Sequence, residues 1–211
     1  MKHWRCFRGQ RTRSSGAFST LTPLASTLQS FFGVGTWNAN GLFCVSDYIK
    51  MCRKIKLLVK QIKKSSIFCV QEAHGNSALL NKHFRKLLLD YWVFSSFVGQ
   101  GSGGVLVFVS KKIVPNQEDI TSEVLVAGRV MRITISDPSD PSKGQQVIYN
   151  IHNFGMDMLG MRHVTTKLGQ DIDFAKNDPL SRSLFVLGDM NYSNREKFAF
   201  SQPEEVHGLQ A

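Results

Sequence analysis

No acidic residue precedes Asp47 in this chain, although Lys2, Arg5, Arg8, Arg11 and Arg13 crowd its start. Residues 1–31 mix those cations with Ser, Thr and Gly without helical or strand periodicity, and read as a disordered basic tail. An Arg-rich, acid-free start also fits a transit peptide directing the chain to a mitochondrion or plastid. Cysteine is scarce: Cys6, Cys44, Cys52 and Cys69 form no C-x-x-C pair, which argues against a caged zinc. Thiols without a disulfide framework favour a reducing compartment, nucleus or cytoplasm. Long apolar runs are missing as well. Nothing approaches the roughly 20 residues of a membrane-spanning helix, and Val105–Val109 has only strand length. The chain also has no internal repeat, which excludes a solenoid.

What remains is a chain of 211 residues, 42% hydrophobic and 20% charged, enough for one well-filled core. Residues 32–211 read as a single domain. The formal net charge of +10 points to polyanions as partners. Strands and helices alternate. Val34–Trp37 reads as a strand, and a helix over 47–64 is capped by Ser46 or Asp47. Its apolar stripe runs through Ile49, Cys52, Ile55, Val59 and Ile62. Its other face carries Lys50, Arg53, Lys54, Lys56, Lys60, Lys63 and Lys64, either a solvated face or a set of phosphate contacts at Lys56, Lys60 and Lys63. A strand at 67–70, a helix over 76–90 and strands at 91–97, 105–109, 124–136, 146–152 and 183–187 follow, with a helix over 157–177. Alternation of this kind predicts an α/β fold.

Polar groups recur just after buried strands: Asn38 and Asn40, Glu72, His152 and Asn153, Asp189 and Asn191. Strand ends on one rim of a rigid scaffold can bring such groups to one point. Their chemistry suits phosphodiester cleavage, which needs charge neutralised on phosphoryl oxygens and a water held in line with the leaving group. Mg²⁺ or Mn²⁺ serves this with few protein ligands. Glu72 is the natural ligand, and Asp189 can orient the water. The amides of Asn38, Asn40 and Asn191 can bind phosphate oxygens or complete the metal shell. His152 can protonate or hydrogen-bond a phosphate oxygen. Arg129 and Arg132 read as solvated or salt-bridged, with phosphate contact as the alternative, and His74 as structural or exposed rather than a ligand.

The motifs Thr36-Trp37-Asn38-Ala39-Asn40-Gly41-Leu42, Gln71-Glu72-Ala73-His74-Gly75, Gly103-Gly104-Val105, Tyr149-Asn150-Ile151-His152-Asn153 and Gly188-Asp189-Met190-Asn191 resemble, in order and spacing, those of the endonuclease/exonuclease/phosphatase superfamily. The first two look closest to endonuclease domains of non-LTR retrotransposons. The resemblance implies a four-layer α-β-β-α sandwich of two mixed sheets and Mg²⁺- or Mn²⁺-dependent hydrolysis. It places Glu72 and Asn40 on the metal, and Asn38, His152, Asp189 and Asn191 in catalysis. DNA is the expected substrate, with RNA, a phosphoinositide or sphingomyelin as alternatives; an inactive remnant that only binds nucleic acid is another reading. The superfamily's closing S-D-H-like motif has no counterpart, since His207 follows Glu205-Val206. The chain is therefore expected to be cut short, its sandwich incomplete, with little or no phosphodiesterase activity as it stands.

Overall fold

The computed structural model describes residues 33–44, 46–99, 101–136, 144–178 and 182–190; the basic tail, Asn191 and His207 lie outside these. β1 (Val34–Asn38), β2 (Ile67–Gln71), β3 (Tyr91–Ser96) and β4 (Val105–Ser110) form one sheet in the order β1-β2-β4-β3. β5 (Ile120–Val126), β6 (Val130–Ser136), β7 (Gln145–His152) and β8 (Arg182–Asp189) form the second in sequence order. Both sheets are mixed: β1 runs parallel to β2 and β7 parallel to β8, and the other pairs are antiparallel. Among the described residues three helices complete the fold: α1 (Tyr48–Ile62), α2 (Ser77–Phe84) and α3 (Met158–Asn177).

Strand alternation assigns the layers. In β2, Phe68 and Val70 face α1 and α2, packing with Met51, Ile55, Leu58, Leu80 and Phe84. Ile67 and Cys69 point the other way, into a core shared with Met131, Ile133 and Ile148 of the second sheet. Val147 and Tyr149 of β7 form a third cluster with Val164 of α3. The result is the expected helix–sheet–sheet–helix sandwich.

Four local expectations need correction. The buried stripe of α1 is Met51, Ile55, Leu58 and Ile62, while Ile49 is 65% exposed. The Asp47 side chain accepts from Lys50 N and so fixes where α1 starts. The helix expected over 76–90 is only α2, capped by Asn76, followed by a 3₁₀ turn at Leu87–Leu89. Three consecutive leucines cannot share one helical face: Leu87 is buried and Leu89 is 75% exposed. The strand expected at 124–136 is a hairpin, β5–β6. Gly128 takes φ 64°, and Arg129 N bonds Val126 O across the turn. Lys54, placed on a solvated face, instead donates through Nζ to the carbonyls of Ala39 (2.8 Å), Asn40 (2.5 Å) and Gly41 (3.1 Å). Its pKa is lowered by burial and by the charge of Lys50.

Candidate active site

Parallel pairing brings strand ends together. Asn38 of β1 lies opposite Gln71 of β2, and His152 of β7 opposite Asp189 of β8. One amide then joins the two sheets: Asn38 Nδ2 donates to Glu72 Oε1 at 2.9 Å and to Asp189 Oδ2 at 2.5 Å. The orientation of that amide is fixed, because Asn38 Oδ1 accepts from the backbone N–H of Asn40 at 2.9 Å. The nitrogen must therefore face the carboxylates.

Glu72 is held in a backbone conformation unusual for a residue with a side chain, at φ 54°, and His74 follows at φ 49°. Such conformations persist where the surroundings over-determine them. Here they do. The Glu72 carbonyl accepts from Gly41 N (2.9 Å) and Leu42 N (3.3 Å), and Phe43 N reaches Ala73 O (3.0 Å). From the other side Ala73 N and His74 N donate to the carbonyls of Gly104 and Gly103 at 3.0 and 2.9 Å. The Gly-Gly motif thus acts as a backbone brace for the Glu72 loop. His74 Nε2 lies 3.9 Å from Glu72 Oε2.

His152 is 1% exposed, with Nε2 3.0 Å from Glu72 Oε1. That contact is off the hydrogen-bonding direction, so Nε2 has no aligned partner among the described residues. On the other side of the ring, Arg129 Nη1 sits 2.8 Å from Nδ1. A guanidinium only donates, so Nδ1 accepts and the proton of the neutral ring resides on Nε2. The pKa of His152 is lowered, first by burial; Glu72 pulls it up and Arg129 pushes it down. Arg129 is the site residue that sequence reasoning missed. It lies in the β5–β6 turn, where nothing local marks it as a partner of His152. Arg132, by contrast, is salt-bridged as expected, to Asp171 at 2.7 Å.

Behind the rim, fully buried Asn150 bonds across the central core. Its Nδ2 donates to Val70 O (3.1 Å) and Leu106 O (2.9 Å), at the last paired residues of β2 and β4. Its Oδ1 accepts from Gln71 Nε2 at 2.6 Å, and the same Nε2 bonds Thr36 Oγ1 at 2.9 Å. This network sets the height of β7, and hence of His152, against β1 and β2.

Among the described residues, no three His, Cys, Asp or Glu side chains gather to cage a metal. The site offers instead carboxylate and amide oxygens at the rim, while Cys69 is buried in the interior with its thiol pKa pushed up by burial. A sparse oxygen set of this kind fits a hard cation that keeps most of its waters. Lys56 and Lys60 are exposed on α1 and Lys63 at its C-cap, and the helix runs away from this rim.

The sequence profile of the Endonuclease/Exonuclease/phosphatase family matches residues 35–199. The chain belongs to that family. Membership in the endonuclease/exonuclease/phosphatase family implies metal-dependent hydrolysis of the phosphodiesterase type. The fold is that of an AP endonuclease, LMAP, from Leishmania major, with a TM-score of 0.55 at 16% identity; the match covers 76% of this chain and 55% of that one. A humanized D. rerio TDP2 gives 0.48 at 15% identity, covering 75% and 62% of the two chains. The human Nocturnin catalytic domain gives 0.46 at 13%, covering 76% and 64%. The chain thus spans less than two thirds of each of these three structures. No curated protein matches it.

Proposed function

We propose that the chain is a Mg²⁺- or Mn²⁺-dependent phosphodiesterase of the endonuclease type whose substrate is nucleic acid, DNA before RNA. The observation that carries this reading is the Asn38 amide, which gathers the carboxylates of Glu72 and Asp189 from two sheets onto one point. Glu72, assisted by Asn40, would hold the cation. Once bound, it would neutralise charge on the phosphoryl oxygens.

The chain's own groups then divide the work. Asp189 accepts a hydrogen bond from the attacking water and orients it. Asn38 donates both amide hydrogens to carboxylates, so its part is to hold them rather than to bind phosphate. His152 presents Nε2–H and so hydrogen-bonds a phosphate oxygen; it is not a base. Asn191 is assigned to the developing oxyanion on its motif alone. The excess of ten positive charges favours a polyanionic substrate, and the fold shared with a protein named an AP endonuclease is consistent with DNA. A phospholipid is the second reading, favoured by one observation: Phe154, Met158 and Leu159 are 66%, 79% and 75% exposed, with Phe154 stacked on His152.

An activated diester tests the chemistry. With bis(p-nitrophenyl) phosphate the leaving group needs little help, so the rate reports on the cation and the attacking water. Release of p-nitrophenolate should require Mg²⁺ or Mn²⁺ and fall about 10²-fold or more in Asp189→Ala, with duplex DNA competing better than anionic vesicles. Release that persists in EDTA, or is unchanged in Asp189→Ala, would refute the reading; stronger competition by vesicles would move the substrate to lipid.

A further inference from the structure

The rim opposite the active site carries a second concentration of charge. Glu72 follows the end of β2, whereas Lys63 and Lys64 precede its start. Tyr91 and Ser110 pair at that same far end, beside Ile67. Five residues of β2 separate the two rims by roughly 16 Å.

At the far rim, the end of α1 and the stretch from α2 through the 3₁₀ turn enclose a groove of about 850 Å³. Lys63 stands on one wall and Lys82, Arg85 and Lys86 on the other, all exposed, over apolar surface from Val59 and Leu87. Among the described residues that line it, none is acidic. Among the described residues no carboxylate pairs with any of the four cations. By contrast the arginines of the second sheet are paired with carboxylates, Arg132 with Asp171 and Glu123 and Arg182 with Asp171. Cations left unpaired on both walls of one groove repel each other, and a polyanion laid between them relieves that repulsion.

The structure assigns to this groove a second, non-catalytic binding site for the sugar-phosphate backbone of double-stranded nucleic acid. A duplex is favoured over a single strand because, among the described lining residues, four exposed cations accompany a single half-buried ring, His83, too little for successive unpaired bases to stack on. With no base-reading element, binding is independent of sequence and strongly dependent on salt. Being on the opposite rim, the groove holds a stretch of duplex remote from the one at Glu72. The inference stands apart from the hydrolytic reading and does not need it.

The test is fluorescence anisotropy of the full chain with a labelled 20-base-pair duplex (a length of about two helical turns) across a salt series. The triple variant Lys82→Glu/Arg85→Glu/Lys86→Glu is compared with a charge-matched triple on α3, Arg162→Glu/Lys167→Glu/Lys176→Glu. The groove variant should bind at least about tenfold more weakly and its log–log salt slope should fall by about 2–3, since each phosphate contact contributes about 0.9. The α3 variant should lose less than about twofold. Should the Glu triple fail to fold, judged by circular dichroism, the milder Lys82→Gln/Arg85→Gln/Lys86→Gln set replaces it with the same expected direction. Equal losses in both triples, or none in either, would overturn the site. A groove variant that loses affinity for a labelled single strand or for anionic vesicles, yet keeps duplex binding, would overturn the duplex assignment.

Discussion

A Cβ placed on Gly188 would lie 1.8 Å from the carbonyl oxygen of Ile151, and the residue sits at φ 141°. Backbone atoms cannot give way as a flexible side chain can. Gly188→Ala should therefore destabilise the protein by at least about 2 kcal/mol and push β8 away from β7. Urea denaturation checks the first effect, and a loss of response to Asp189→Ala in the diester assay checks the second. The glycine of the G-D-x-N motif is there because β8 must approach β7 closely enough for Asp189 to meet Asn38. At this scale the site was readable where a polar residue follows a buried strand, as with Asn38, Glu72, His152 and Asp189. It was unreadable where the partner comes from elsewhere in the chain. Arg129 looks like any exposed turn arginine until the fold sets it against Nδ1 of His152.

Elements are locked to one another by two buried polar groups. Asn150→Ala would remove one buried donor from each of the carbonyls of Val70 and Leu106 and one acceptor from Gln71. A cost of about 2–4 kcal/mol is expected, since buried unsatisfied groups lose their solvation as well as their bonds; the shift in urea midpoint measures it. On the outer face Asp171 binds α3 to the second sheet through Arg132 (2.7 Å), Arg182 (2.7 Å) and Tyr149 Oη (2.7 Å). Burial alone would raise the Asp171 pKa, but the hydrogen bonds from Arg132 and Tyr149 and the nearby guanidinium charges outweigh it and hold it below the usual carboxylate range. The native state therefore binds fewer protons than the unfolded one. Its contribution is fully present above about pH 4 and is lost as pH falls through the depressed value. Asp171→Asn should cost about 3–5 kcal/mol at neutral pH, because two guanidinium groups lose their partner, and should flatten the acid limb of a stability–pH curve. An unchanged acid limb would remove Asp171 from that role. These locks were hidden in the sequence because apolar periodicity marks which face of a strand is buried, not which polar residue crosses the core. For the same reason the stripe of α1 was partly misplaced: Ile55 and Ile62 are buried, but Ile49 fits the period yet faces out, and Met51 and Leu58 take core positions.

For the whole molecule, alternation of elements indicated an α/β fold, and the motifs, through their resemblance, supplied the two-sheet layering. The hairpin of β5 and β6 escaped notice because one Gly in an apolar run resembles a bulge as much as a turn. Charge is the property least tied to position in sequence. The lysines of α1 belong to three settings: Lys54 braces the Asn40 loop, Lys56 and Lys60 face solvent, and Lys63 enters the far groove. The central claim is that strand ends from both sheets build one hydrated-metal site around Glu72. Its most direct test is water-proton relaxation during Mn²⁺ titration of the intact chain. Wild type should show a saturable enhancement from a bound ion that keeps several waters, and Glu72→Gln should abolish it while Lys56→Glu leaves it unchanged. Equal enhancement in wild type and Glu72→Gln would contradict the claim and remove Glu72 from the metal.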